Sequence, residues 1–312
     1  MKHALTIDGN RNAQAKLFAF CSRAILTALF ATSVSLSSAM ADIPQDLVEQ
    51  GAELVHIAGG FAFTEGPTAN SRGDVYFTDS HRDHILKWSI DGELSSFRKP
   101  SGGAVGLFFD HEDNLLVCAG SDKKLLSICP DGVTTVLANT YNGIEFNRPN
   151  DVFSHPEAGI YFTDPRGRRG GDEAVSRVFH LSPDYTTLTS IIEDMIYPNG
   201  VAASPDGATL YVADWSAKEI YSFDIGENGA LSNRRIFASE ECDGMTLDEH
   251  GNLYFGGSEG VSVYSPQGER LGFIKVPEFA ANVCFGGADR KTLFITARSS
   301  LYALKMVVSG GY

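Results

Sequence analysis

The sequence predicts an all-β protein: a six-bladed β-propeller with four-stranded blades around a central metal-containing channel. Three observations carry that prediction. A short phrase returns six times: an opening residue, a strand, a Gly/Asp turn and a second strand. The openings are Glu65-Gly66-Pro67, Val105-Gly106-Leu107, Asn150-Asp151-Val152, Asn199-Gly200-Val201, Asp243-Gly244-Met245 and Asn282-Val283-Cys284. Each lies 14 or 15 positions before the end of its second strand, at Asp79, Ala119, Asp164, Asp214, Gly257 and Ala297. Successive openings are 39 to 49 residues apart, the period of a propeller blade.

The elements follow in order. Lys16 and Arg23 flank the approach to an apolar stretch, residues 24–36, and Ala39-Met40-Ala41 supplies small residues ahead of Asp42. That order predicts a secretory signal peptide over residues 1–41; the apolar stretch is too short and Ser-rich for a membrane span. The expectation is one propeller domain, residues 42–312, in the periplasm or secreted, with no membrane attachment after cleavage. Residues 54–58 read as a strand without a repeat of their own. The sixth repeat runs out soon after Leu301-Tyr302-Ala303-Leu304. The early strand is therefore expected to supply the outer edge of the sixth blade and close the ring. Second strands are β-branched and aromatic, as in Val75-Tyr76-Phe77-Thr78, Ile160-Tyr161-Phe162-Thr163 and Leu210-Tyr211-Val212-Ala213. Asp91-Gly92, Asp131-Gly132, Asn228-Gly229 and Gln267-Gly268 supply hairpin turns.

The formal net charge of −14 disfavours nucleic acid and anionic membranes as partners and attracts cations. Of Cys118, Cys129, Cys242 and Cys284, none has metal-finger spacing. Cys118 and Cys129 fall on consecutive strands, so they are the pair an oxidising compartment could join; the alternative is four small buried hydrophobes.

In an up-and-down blade the start of the innermost strand and the end of the second lie on one face. The six openings Glu65, Val105, Asn150, Asn199, Asp243 and Asn282 are therefore expected to ring the channel mouth. Two carboxylates there repel, and no Lys or Arg shares their phase. A divalent cation would neutralise them. An all-oxygen set without His or Cys suits calcium first, with magnesium, manganese or zinc as alternatives; the remaining alternative is a solvated polar channel without metal. The loops Ser80-His81-Arg82 and Pro165-Arg166-Gly167-Arg168, together with Trp215 and Arg148, are expected to line a substrate pocket at the same mouth. There is no HExxH and no phosphate-binding loop.

The phrases E-G-P at 65–67, R-P-N-D at 148–151, Y-F-T-D-P at 161–165, P-N-G at 198–200, S-P-D-G-x-x-L-Y-V-A-D at 204–214, D-G-M-x-x-D-x-x-G-N-L-Y at 243–254 and N-V-C-F-G-G at 282–287 resemble the senescence-marker-protein/regucalcin/gluconolactonase family. The resemblance spans about residues 54–305. It implies a six-bladed propeller with one divalent metal on its axis, held by Glu65, Asn150, Asn199 and Asp243. It implies substrate contacts at Arg148 and Asn150, with Asp243 as proton donor and acceptor. The sequence from Arg166 to Val175 departs from the family's pattern, and Asn282 matches it without an assigned role. The implied activity is metal-dependent hydrolysis of a small-molecule sugar-acid lactone, a gluconolactonase-like carboxylic-ester hydrolase. Alternatives are a phosphotriesterase-like hydrolase on the same metal and a non-catalytic ligand-binding propeller.

Overall fold

Runs rich in Val, Ile, Tyr and Phe pair where the repeat places them, and the result is six four-stranded antiparallel sheets arranged as blades of a propeller. The computed structural model describes residues 46–166 and 175–312. Blade I comprises Thr64–Ala69, Val75–Asp79, His84–Trp88 and Leu94–Arg98. Blade II comprises Ala104–Phe109, Leu115–Ala119, Lys124–Ile128 and Thr134–Ala138. Blade III holds Val152–His155, Gly159–Asp164, Arg177–Leu181 and Leu188–Ile192. Blade IV holds Pro198–Ala203, Thr209–Asp214, Glu219–Ile225 and Leu231–Ala238. Blade V is Met245–Leu247, Leu253–Gly257, Gly260–Tyr264 and Arg270–Lys275. In each of these five blades the innermost strand comes first in sequence.

Blade VI is built from both ends of the described chain. Ala280–Gly286, Thr292–Ala297 and Ser300–Lys305 supply three strands. The fourth is Val55–Gly59, antiparallel to Ser300–Lys305, with Val55 opposite Ala303 and Gly59 opposite Ser300. The closing strand thus lies where the sequence places it, shifted by one residue.

The core lies between neighbouring blades. Phe77, Phe162, Phe179, Tyr254 and Phe255 are fully buried, and ring contacts such as Phe146 with Phe162 at 5.3 Å tile these layers. On the face opposite the blade entries, Tyr312 packs edge-on against Phe108 and Phe153, 5.7 and 5.2 Å away. It lines a far-face cavity of about 630 Å³.

The four cysteines among the described residues are free, and Cys118 is buried. The register explains why Cys118 and Cys129 do not join. Cys118 lies opposite Leu125, and the ladder runs on to Leu115 opposite Ile128. Cys129 is therefore about four residues, or ~13 Å, along the strand from Cys118, beyond the reach of a disulfide.

Candidate metal centre and substrate pocket

Each blade delivers one residue to the axis by the same local device, and hydrogen bonds to backbone carbonyls of the next blade mark it. Thr78 Oγ1 donates to Val105 O at 3.0 Å, and Gly106 N to Asn150 O at 2.7 Å. Thr163 Oγ1 donates to Asn199 O at 2.8 Å, Gly200 N to Asp243 O at 2.8 Å and Gly244 N to Ala281 O at 2.8 Å. The axial positions are therefore Glu65, Val105, Asn150, Asn199, Asp243 and Ala281. The neighbouring glycine belongs to the device. A Cβ on Gly106 would sit 2.5 Å from Asn150 O, and one on Gly200 would sit 2.5 Å from Asp243 O. Only glycine lets the blades approach this closely.

The sixth axial residue corrects the sequence expectation. It is Ala281, not Asn282. Ala280 pairs with Ala297 as Ala104 pairs with Ala119 and Pro198 with Asp214, so Ala281 follows in the phase of Val105 and Asn199, and the longer inner hairpin of blade VI carries Asn282 past the axis. The Asn282 amide oxygen accepts from Val283 N at 2.7 Å, and the residue lines the far-face cavity instead.

Glu65, Asn150, Asn199 and Asp243 lie on one cavity, of about 710 Å³, at the channel mouth. Asn199 Nδ2 donates to Asp243 Oδ1 at 2.5 Å. Glu65 accepts from Gly66 N at 3.2 Å. Burial, reinforced by the nearby Asp243 charge, pushes the Glu65 carboxyl well above the ordinary range. Burial likewise pushes Asp243 up to about 7, against the bond from Asn199. Asp151, next to the ring, is also raised to about 7 by burial, although Val201 N and Val152 N donate to it. Such a cluster of desolvated carboxylates without an ion-paired base calls for a cation. The donor set fits one: two carboxylates and two amides, all hard oxygens, suited to calcium or magnesium. Among the described residues no group of three or more His, Cys, Asp and Glu forms a metal cluster, so the amides are essential to this assignment.

Two further circles form the pocket wall. The first lies two residues before the axial position. Asp79 accepts from Ala62 N and Phe63 N, Asp164 from Asn147 N and Arg148 N at 2.8 and 2.6 Å, and Asp214 from Ile196 N and Tyr197 N at 2.7 and 3.0 Å. Each second strand that ends in Asp thereby clamps the loop entering its own blade, which fixes Phe63, Arg148 and Tyr197. Phe279 holds the same phase in blade VI. The second circle follows the end of the second strand: Ser80, Pro165, Trp215 and Arg298. All eight residues line the cavity, together with His81, which stacks on Phe63 at 5.2 Å.

Arg148, Ser80, His81, Pro165 and Trp215 thus lie where the sequence puts them. Arg82 does not line the cavity. It pairs with Asp79 at 3.5 Å and donates to Gly60 O at 2.7 Å. Gly167 and Arg168 lie outside the described residues. Phe63, Tyr197, Phe279 and Arg298 escaped the sequence reading, yet the repeat phase that gave Arg148 and Trp215 also points to them. A Gly256-Gly257-Ser258-Glu259-Gly260 string spells a nucleophile elbow, but Gly257 pairs with Gly260 across a hairpin and the Ser258 hydroxyl donates to Glu241. It lacks the strand-to-helix turn that exposes such a serine.

A six-bladed propeller with four oxygen donors on its axis, under a pocket of aromatic and hydrogen-bonding groups, defines the class. The chain belongs to the SMP-30/Gluconolactonase/LRE-like region family, whose model matches residues 63–299. It is 31% identical over 293 residues to a gluconolactonase of Zymomonas mobilis, covering 81% of each chain. A solved structure of a gluconolactonase from Xanthomonas campestris superposes with a TM-score of 0.79 at 29% identity, over 86% of this chain and 95% of that one. A calcium-binding regucalcin from Agrobacterium tumefaciens shares the fold, with a TM-score of 0.70 at 20% identity over 81% of this chain and 93% of that one.

Proposed function

We propose that the protein is a carboxylic-ester hydrolase that opens sugar-acid lactones of the gluconolactone kind, with a divalent cation, calcium foremost, held by Glu65, Asn150, Asn199 and Asp243. One observation carries the reading: four oxygen donors from four blades converge at the base of a pocket walled by hydrogen-bonding side chains. The gluconolactonase relatives support the choice of substrate class.

When bound, the cation would polarise the ring-ester carbonyl and stabilise the developing oxyanion. Asp243 takes a proton from the attacking water and returns it to the leaving ring oxygen. Its place at the base of the pocket, bonded to Asn199 beside the other proposed ligands, supports this role. Arg148 and Asn150 hold the substrate oxygens, which lowers the entropy cost of reaching the reactive geometry. The Phe63, Tyr197, Trp215 and Phe279 side chains give the sugar ring flat apolar surfaces.

The test is lactone turnover by chelated and by calcium-reconstituted protein, after subtraction of spontaneous opening. Activity that survives complete removal of the cation overturns the metal-dependent reading. No turnover of any lactone overturns the substrate class and favours phosphotriester hydrolysis or simple ligand binding. The reading includes export, with residues 1–41, outside the described residues, acting as a cleaved signal. N-terminal sequencing of the secreted protein should begin at Asp42.

A further inference from the structure

We infer that the pocket selects lactones that carry an additional anionic group, and that Arg298 reads that group at the rim. The inference rests on the lactone-hydrolase reading above. In a six-bladed ring, blades III and VI stand opposite each other. Arg148 enters from the blade III side and Arg298 from blade VI, and both line the one cavity. Both are exposed.

Neither is ion-paired, although five other described arginines, Arg82, Arg177, Arg234, Arg235 and Arg270, are. Arg148 and Arg298 have no carboxylate within ion-pairing distance among the described residues, although the Arg148 charge reaches Glu65, in a chain of net charge −14. Glu278, the acidic residue held against the neighbouring Ser299, is engaged elsewhere. It accepts from Ser299 N and Oγ at 2.9 and 2.7 Å and from Tyr302 OH at 3.1 Å.

The Arg298 backbone is nevertheless fixed. Its φ is +40°, left-handed and costly for arginine. Its carbonyl accepts from Thr64 N at 2.7 Å and Thr64 Oγ1 at 3.3 Å. Thr64 directly precedes Glu65, so Arg298 is anchored beside the cation's proposed carboxylate ligand with its guanidinium free. A planar guanidinium fork pairs with a carboxylate or phosphate through two parallel bonds. Once a divalent cation balances Glu65 and Asp243, the two arginines leave the mouth positive. Water adds to the ring-ester carbonyl, the ring C–O bond breaks, and a hydroxy acid leaves with its proton released. The group held by Arg298 passes through that step unchanged.

The experiment compares gluconolactone, glucarolactone and phosphogluconolactone at one ionic strength, with calcium present. The wild type should show at least about tenfold higher kcat/KM for one of the anionic lactones than for the neutral one. Preference for glucarolactone assigns a carboxylate, and preference for phosphogluconolactone a phosphate. Arg298→Ala should lower the anionic-to-neutral ratio by about 10–100-fold, as expected for loss of a charge-assisted pair, and Arg298→Lys should retain an intermediate ratio. Rising salt should shrink the ratio. A wild-type ratio at or below one, or a ratio unmoved in a folded Arg298→Ala, overturns the inference. Calorimetric titration of calcium-loaded protein with glucarate, gluconate and phosphogluconate separates the two readings. Arg298-dependent binding of a doubly anionic acid without turnover of any lactone retains the anion site and removes the lactonase. Brisk turnover of gluconolactone without preference for charge does the reverse.

Discussion

Asp243 carries two demands at once: it is a proposed ligand of the cation and the proposed proton carrier. The fold does not depend on it, because the core consists of strand residues such as Phe77, Phe162 and Tyr254. Asp243→Ala should therefore remain folded by circular dichroism while losing about 10²–10⁴-fold or more of its lactone turnover. Glu65→Gln keeps size and removes charge, and should weaken calcium at least about tenfold in calorimetric titration, since affinity follows the charge count of the ligands. Unchanged affinity would remove Glu65 from the shell. The proposed ligand residues were legible in the sequence because a fixed period carries equivalent residues to one axis. Ala281 was not. A longer inner hairpin in blade VI moves the axial position back by one residue without altering any motif, so Asn282 looked axial while its neighbour held the position. Arg298 was overlooked for a different reason: a lone arginine after a strand carries no motif, and only comparison of phase with Trp215 and Pro165 singles it out.

At the level of single elements, the aspartate that ends a second strand decides where a pocket side chain stands. Asp164 receives the backbone N–H groups of Asn147 and Arg148. In Asp164→Ala those donors lose their acceptor in a partly buried loop, a loss of about 1–3 kcal/mol. Urea unfolding should register it. Arg148 should also lose its fixed base, so KM for the lactone should rise more than kcat falls. An unaltered KM would show that Arg148 is held by other means. The T-D and A-D strand ends were visible in the repeats at Asp79, Asp164 and Asp214, but their clamping role was not. Ala119, Gly257 and Ala297 end the equivalent strands, and a sequence does not show which loop a carboxylate reaches back to cap. The cysteines show the same limit from the other side. Cys118 lies on its strand as read, but Cys129 falls just past the end of Lys124–Ile128, and the register sets the two at different ends of the ladder.

For the whole molecule, the axial cluster ties stability to pH and to the cation. Glu65, Asp151 and Asp243 hold protons more tightly in the folded chain than in the unfolded one, chiefly through burial. In chelated protein the folded state therefore binds more protons than the unfolded chain between the ordinary carboxylate range and about pH 7. The contribution of these groups to stability falls as pH rises through that window. Calcium should offset it, and more at pH 8 than at pH 5. At a hundredfold excess over its Kd a cation bound only by the folded state adds about 2.7 kcal/mol, or roughly 5–10 °C in melting temperature for a domain of this size. Thermal melts with chelator and with calcium at both pH values check the sign. Equal melting temperatures with and without calcium at pH 8 would place no cation on the axis.

The pairing of Val55–Gly59 with Ser300–Lys305 has a further consequence, for timing. Deleting residues 54–59 should leave the Ser300–Lys305 edge bare, and an uncovered strand edge recruits other chains; light scattering should show association where the intact chain stays dispersed. In the intact chain the ribosome makes the latch first and its catch last. Blades I to V draw on contiguous sequence and can form locally, but the seam between Val55 and Ala303 spans nearly the whole domain and joins late, as pairings of long sequence separation do. Until the final strand emerges the nascent chain is an open arc, still available to any machinery that handles unfolded polypeptide.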